Sequence, residues 1–400
     1  MLQILDASKE KNILQVMKSI NVDTYGIKIM LPKAQAYLLK IKSLSNICAN
    51  ILKQEMLSLG GDVAVSRGAL TGKSKVTDCL IMGNLAQFNR LSYKLHRQPF
   101  GLSKVAIDLT SALENFRKDS FKLALGKYKL NLGTSTYIMG ILNATTDSFS
   151  GDGLYSAHSF PKNAVKYAQG LVRDGADIID IGGESSRPGA KSISLKEELS
   201  RTIPVIKSLS KNTRIPISID TTKHEVAKQA LDNGASLVND ISGLRNIKMA
   251  KIIAKYNAGV VIMHMQGIPR FMQKKPSYSC LIGEIILYLN DAIKKGLDNG
   301  IKRENIIVDP GIGFGKTLEH NLEILNKLSE FKTLGQPILV GTSRKSFIGK
   351  ILGTQVRDQI CGTIASCIVA CENGANILRV HDVAQVKEAL LVRDEIKRWN

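Results

Sequence analysis

Between Tyr137 and His381 the chain repeats one pattern eight times: a short apolar run, an abrupt polar or glycine-rich end, then a helix-length amphipathic stretch. The runs are YIMGILN (137–143), ADIIDIG (176–182), IPISID (215–220), LVNDIS (237–242), AGVVIMHM (258–265), NIIVDPG (305–311), PILVG (337–341) and ILRVH (377–381). Runs of this length that do not alternate with polar residues predict parallel strands buried on both faces, and eight strand–helix units in series predict a closed (β/α)8 TIM barrel. Chemistry in that fold belongs to the carboxyl ends of the strands. Here those ends carry Asn143, Asp220, Asn239, His264, Asp309 and His381.

A barrel of roughly 250 residues leaves more than a hundred of the 400 at the amino-terminal side, so an extra N-terminal α/β domain is expected. Its pattern predicts a strand at IKIML (27–31), a helix from Ala34 to Leu59 stopped by Gly60-Gly61-Asp62, a strand at DCLIMG (78–83), and helices over 85–97 and 103–124. In the last of these, Val105, Leu109, Leu113 and Phe116 recur every three or four residues and mark one buried face. The polar, glycine-bearing tract LGKYKLNLGTST (125–136) places the boundary near 133, dividing the chain into 1–133 and 134–400. Two glycine-rich stretches imitate a phosphate-binding loop. GALTGKS (68–74) has Arg67, and GIGFGKT (311–317) has Pro310, where that loop needs its first glycine, so neither qualifies.

The hydrophobic fraction of 44% can build two full cores. No apolar stretch approaches the roughly 20 residues of a membrane helix, and Met1 to Ile20 lacks a signal-peptide pattern; a soluble, cytoplasmic protein is expected. The six cysteines show no metal-ligand spacing, three of them lie in the apolar 361–377 segment, and they read as reduced, buried thiols. The net charge of +20 is uneven: residues 1–133 hold 20 Lys/Arg against 9 Asp/Glu, or +11, and the longer remainder holds 35 against 26, or +9. These cations are interspersed with acids and few aromatics, which favours a solvated surface over a nucleic-acid partner.

The two longest polar connections, 143–159 and 182–192, follow the first two strands and are candidate closing loops. Asp220, Asn239 and Asp309 at strand ends, with Lys345 after the seventh strand, supply acceptors and donors suited to a flat heteroaromatic ring with amino, ring N–H and carbonyl groups. A metal site is the competing reading, and Mg²⁺ carried by a diphosphate substrate is compatible with one or two oxygen ligands. TSRKSFIGK (342–350), Arg379 and His381 form a candidate anion site at the last two strands; its alternative is an Arg379–Asp382 salt bridge beside a core histidine. His264, between two methionines, reads equally as a ligand and as a satisfied histidine at the barrel mouth.

In order along 134–400, the segments GILNATTDSFS (140–150), DIGGESSRPGA (180–190), SIDT (218–221), VNDISG (238–243), MHMQGIPRFMQ (263–273), DPGIGFGKT (309–317), GTSRKSFIG (341–349) and RVHDV (379–383) resemble the motifs of the dihydropteroate synthase family. The resemblance implies condensation of 4-aminobenzoate with a dihydropterin carrying a hydroxymethyl diphosphate, and release of pyrophosphate. It implies a pterin site of Asp220, Asn239, Ile241, Met263, Asp309, Phe314, Gly341, Lys345 and Arg379. It further implies a diphosphate site of Asn143, Arg379 and His381, with Asn143 also serving Mg²⁺. Phe149, Ser186, Arg187, Pro188, Phe314, Lys345 and Ser346 would hold the aminobenzoate, and Asp147 or Asp152 would approach the pterin cation. Catalysis would fall to these aspartates with Lys345, Arg379 and His381, in a homodimer.

Three positions depart from the family pattern: Thr146 stands where proline is usual, Gly151-Asp152-Gly153 shifts the second aspartate by one residue, and Ser186 replaces threonine. Two other readings remain open. One is a methyltransferase on the related pterin-binding barrel, using methyltetrahydrofolate, against which TSRKS and SSRPG speak. The other is a non-catalytic binding module working through the basic N-terminal segment.

Overall fold

A computed structural model gives the fold of the chain and describes residues 2–5, 10–144, 160–187, 189–353 and 359–398. It divides into two compact units, 1–114 with 398–400 and 115–397. The first unit contains an antiparallel sheet of β1 (Ala36–Ser45), β2 (Asp62–Val65) and β3 (Val76–Asn84) in the order β1-β3-β2. Its core joins Val63 and Ile81 of the sheet to Leu52 and Met56, Phe88 and Leu91, and Leu109 and Leu113 from three helices.

Local chemistry explains where this unit departs from expectation. IKIML lies inside the helix Thr24–Ala34, because Asp23 caps it by accepting from the amides of Tyr25 and Gly26 at 2.8 and 3.0 Å. The stretch expected to be helical from Ala34 begins as β1, where Tyr37, Leu39 and Ile41 turn inward and Leu38, Lys40 and Lys42 outward. The last predicted helix stops at Arg117 rather than 124.

Beyond Arg117 comes a hairpin, β4 (Phe121–Leu125) and β5 (Tyr128–Leu132). The barrel follows as β6 (Tyr137–Asn143), β7 (Ile178–Gly182), β8 (Ile217–Asp220), β9 (Leu237–Asp240), β10 (Gly259–Met263), β11 (Ile306–Asp309), β12 (Leu339–Val340) and β13 (Ile377–Val380). All eight runs of the sequence are strands. They pair in parallel and in chain order, β13 returns to β6, and the Val308–Ile338 bridge with the bond from Val308 N to Pro337 O (2.9 Å) closes the ring.

Within each strand alternate side chains serve two different cores. Ile138, Leu142, Ile179, Ile181, Val238 and Ile262 face the helical shell. Met139, Ile178, Leu237, Val261, Ile307, Leu339 and Ile377 face the axis, where Phe121, Leu123, Leu125 and Leu132 of the hairpin pack against them. The hairpin is thus the floor of the barrel. This is why the compact unit begins at Asn115 rather than near the expected boundary at 133. Gly259 gives it room, since a Cβ there would lie 2.1 Å from Leu125 Cδ2.

Leu125→Ala should open a cavity in this floor and cost about 2–5 kcal/mol, whereas Leu287→Ala, at a side chain that is 61% exposed, should change little. Urea unfolding of both variants reads the difference. Equal, small losses would remove the floor role from the hairpin.

Candidate active site at the carboxyl ends of the barrel strands

One step of two residues above the apolar floor, the axis-facing positions become polar. Asp180 stands two residues beyond Ile178, Asn239 beyond Leu237, Asp309 beyond Ile307 and Arg379 beyond Ile377, while Asp220 follows Ser218 on β8. The β8–β9 register sets Asp220 beside Asn239, and the β10–β11 register sets Met263 beside Asp309. The strands therefore deliver these groups to one place by pleat alone.

Arg379 sits at the centre. Its Nε donates to Asp180 Oδ2 at 2.6 Å and its Nη2 to Asp220 Oδ2 at 2.7 Å. Asn239 Nδ2 donates to the same Asp180 oxygen at 3.1 Å. Burial pushes the Asp220 carboxyl up to about 7, although Arg379 pulls the other way. Asp180 is completely buried; it opens the DIGGESSRPGA segment, but neither that segment nor its place in the strand gave it a role. The signal was available: it is one of the polar residues in the axis-facing series.

Asp309 accepts from the amide of Gly311 at 2.7 Å, and burial moves its carboxyl up to about 6. Gly311 must be glycine, with φ +74° and the carbonyl of His264 only 2.0 Å from where a Cβ would stand. The Lys345 ammonium lies 4.2 Å from the centroid of the Phe314 ring, and burial, reinforced by Arg379, pushes it down to about 8. Phe314 also closes an apolar cluster with Ile241, Met263, Met265 and Met272. Gly341 borders Arg379, whose Cβ is 3.7 Å from the position of an added Cβ. The expected pterin-contact residues are therefore gathered around one mouth, and Met265 and Met272 join them.

The second glycine-rich decoy turns inward. Lys316 is 3% exposed, donates to the Phe314 carbonyl at 3.0 Å and lies 3.0 Å from His264 Nδ1, so it fastens two loops instead of cradling phosphate. His264 is enclosed by Lys316, Tyr278 and Tyr288, and burial followed by Lys316 and Arg245 drives its imidazole down to about 2. It is a satisfied, neutral histidine.

At the seam of β6 and β13, His381 stands 3.1 Å from Ser343 Oγ through Nδ1 and 3.4 Å from Asn143 Nδ2 through Nε2. Burial, then Arg344 and Arg379, lowers its imidazole to about 3, leaving it neutral at pH 7. Asp382 pairs with Arg344 at 2.5 Å, not with Arg379. Arg344 holds φ +56° at the turn before Lys345.

A second charged network roots the 182–192 loop. Lys223 donates to Glu184 and, at 2.6 Å, to the fully buried Glu198, which also accepts from Thr221 Oγ1 at 2.6 Å. Ser186 is half-buried, and Arg187 and Ser346 are exposed. Asp147, Phe149, Asp152 and Pro188 lie outside the described residues. Among the described residues no group of three or more His, Cys, Asp or Glu is placed to hold a metal ion. With the Asn143 amide assigned so that Nδ2 faces His381, its Oδ1 points away from the imidazole. That offers one hard oxygen ligand, which fits an Mg²⁺ ion brought by a diphosphate.

Comparison with known proteins accords with this geometry. The family model described as "Pterin binding enzyme" matches residues 139–381. A dihydropteroate synthase of Synechocystis sp. is 47% identical over 278 residues, which cover 69% of this chain and 95% of that protein. A probable bifunctional folylpolyglutamate synthase/dihydropteroate synthase of Halobacterium salinarum is 40% identical over 347 residues, 86% of this chain and 41% of its own length. Among solved structures, a Clostridium difficile dihydropteroate synthase crystallised in the presence of pteroic acid superposes with a TM-score of 0.63 at 46% identity, covering 67% of this chain and 98% of that one.

Lys223→Met should leave Glu198 as an uncompensated buried acid and cost about 3–5 kcal/mol. Thermal denaturation near neutral pH reads this directly, and an unchanged midpoint would dismiss the network as a support of the loop.

Proposed function

The chain belongs to the dihydropteroate synthase family of pterin-binding enzymes, and from that membership we propose how its barrel mouth divides the work. The reaction joins 4-aminobenzoate to (7,8-dihydropterin-6-yl)methyl diphosphate, giving 7,8-dihydropteroate and pyrophosphate. The observation that carries the assignment is the convergence of Asp220, Asn239, Asp309, Lys345 and Arg379 on one end of the barrel axis.

In the proposed assignment Asp220 and Asp309 accept from the amino and ring N–H groups of the pterin, Asn239 and Lys345 meet its remaining polar edge, and Ile241, Met263, Phe314 and Gly341 enclose its faces. Arg379 stacks on the ring and reaches the diphosphate together with Asn143 and His381. A bound Mg²⁺ ion would neutralise charge on that diphosphate, and Asn143 Oδ1 is the protein oxygen suited to hold it. The exocyclic C–O bond breaks with its electron pair leaving on pyrophosphate, and the resulting methylene cation is captured by the aniline nitrogen, which then loses a proton. The protein therefore has to stabilise departing negative charge and keep water from the cation. The aniline is nucleophilic already, so no activated serine or thiolate is needed. Phe149, Ser186, Arg187, Pro188, Phe314, Lys345 and Ser346 form the proposed aminobenzoate site, with Asp147 or Asp152 near the cation.

The further proposals are a homodimer and a cytoplasmic location; no helix among the described residues is long and apolar enough to cross a membrane. The deciding assay is pyrophosphate release that requires both the pterin diphosphate and 4-aminobenzoate. Release without either dependence would refute the reading. Lys345→Ala should raise KM for both substrates, whereas His381→Ala should act mainly on the diphosphate; unchanged kinetics in either would withdraw its role.

The pH profile should be bell-shaped. Asp220, with its carboxyl at about 7, and Asp309, at about 6, both have to be ionised to accept, so kcat/KM for the pterin substrate should begin to fall as pH drops below about 7 and fall further through 6. Lys345, at about 8, has to be protonated to donate, so it should fall again as pH rises through 8. Lys345→Arg keeps its charge and should abolish the alkaline limb; survival of that limb would assign it elsewhere.

A further inference from the structure

Two edges of the Arg379 guanidinium meet different surroundings. The Nη2 edge rests on Asp220, whose side chain is 12% exposed at the end of β8. The Nε edge rests on Asp180, which is fully buried, one pleat lower, and shares its Oδ2 with Asn239 Nδ2. A ligand entering from the strand ends reaches Asp220 and not Asp180.

The contact with Asn239 also fixes an orientation. A carboxylate oxygen can only accept, so the group that Asn239 presents to Asp180 has to be its NH₂, and the amide oxygen is turned away from that carboxylate. From this we infer that Asp180 is a positioning residue for the reaction: it fixes the Asn239 amide with its oxygen directed away, and it retains the Nε edge of Arg379 while the substrate takes over Asp220. The inference rests on the pterin-site reading proposed above.

The consequence is a division of labour among the carboxylates. Asp220 is exchangeable: its partner is Arg379 in the free protein and a pterin donor in the complex. Asp180 is permanent, and it keeps Arg379 from leaving the site when the contact to Asp220 is given up. The freed Nη groups can then turn to the diphosphate. Nothing in this arrangement involves aminobenzoate, which separates Asp180 from residues that would disturb the whole site.

The test uses the full-length chain. Asp180→Asn keeps the size of the side chain and removes its charge. Steady-state pyrophosphate release should show kcat/KM for the pterin diphosphate falling about 10–100-fold, as for other groups that orient contacting residues, with KM for 4-aminobenzoate within about threefold. In an Arg379→Ala, Asn239→Ala background the same change should add less than about threefold, because the groups that Asp180 positions are gone.

Wild-type protein without substrate-dependent release would defeat the family reading and not this inference alone. Active wild-type protein with Asp180→Asn acting equally on both substrates, or multiplying fully with the double substitution, would overturn the inference. Circular dichroism checks the fold. If Asp180→Asn does not fold, Asp180→Ser, with space for a water in place of the carboxylate, is read by the same criteria. Loss of fold in both makes Asp180 a determinant of folding alone and overturns the proposal.

Discussion

Arg379 is the countercharge on which the interior of this barrel depends. Asp180, Asp220 and Asp309 all face the axis, and immediately beneath them the cylinder is filled with Met139, Ile178, Leu237 and the hairpin residues Phe121 and Leu125. Carboxylates so close to an apolar floor are costly unless paired and hydrogen-bonded. One guanidinium, planar and donating along two edges, pairs with two of them at once, a geometry that a lysine ammonium does not reproduce, while Asp180 Oδ1 stays buried without a hydrogen-bond partner. The third carboxylate is handled separately, by the Gly311 amide and by the nearby ammonium groups of Lys345 and Lys316.

The same principle extends to the loops. Lys316 ties the carbonyl of Phe314 to the β10 end at His264, and Lys223 ties Glu184 to the buried Glu198. These two loops are thus fastened by lysines whose partners are carbonyl, imidazole or carboxylate groups. Arg344 and Asp382 do the same for the turn that delivers Lys345. Rigid roots of this sort let a site on loops approach the precision of a site on strands.

Much of this was legible in the sequence, for reasons that also explain what was missed. Eight apolar runs with polar ends identify a parallel barrel because strands covered on both faces show no alternation, and polar strand ends then pick out Asp220, Asn239, Asp309 and His381. That absence of alternation hid the pleat. Within DIIDIG, the one residue of the run that is both polar and axis-facing is Asp180, and only the alternation between Ile178 and Gly182 distinguishes it from a strand-edge polar group. The floor escaped for the opposite reason. Phe121, Leu123 and Leu125 do alternate, but they follow a helix whose apolar residues recur every three or four, and the helical period was extended over them. In the first unit a single capping aspartate, Asp23, outweighed the β-branched character of IKIML. The methionines 265 and 272 lie within MHMQGIPRFMQ, but as apolar wall supplied by a long loop they carry no polar chemistry that would have singled them out.

Closing the charges in the free protein has a bearing on which ligands the mouth accepts. Since Asp220 is already paired, a ring that offers only apolar surface gains nothing by entering, because it leaves the Arg379–Asp220 pair in place or breaks it without replacement. On the site assignment proposed above, a ring carrying adjacent N–H donors would replace the guanidinium at Asp220 and restore the charge balance by supplying a diphosphate to the displaced cation. The two halves of a pterin diphosphate are thereby coupled: the heterocycle that frees Arg379 and the anion that receives it belong to one molecule. A pterin without the diphosphate, or pyrophosphate without the pterin, meets only half of that exchange. On the site assignment proposed above, the charge arrangement at the barrel axis would favour the joined substrate before any contact with the aminobenzoate is made.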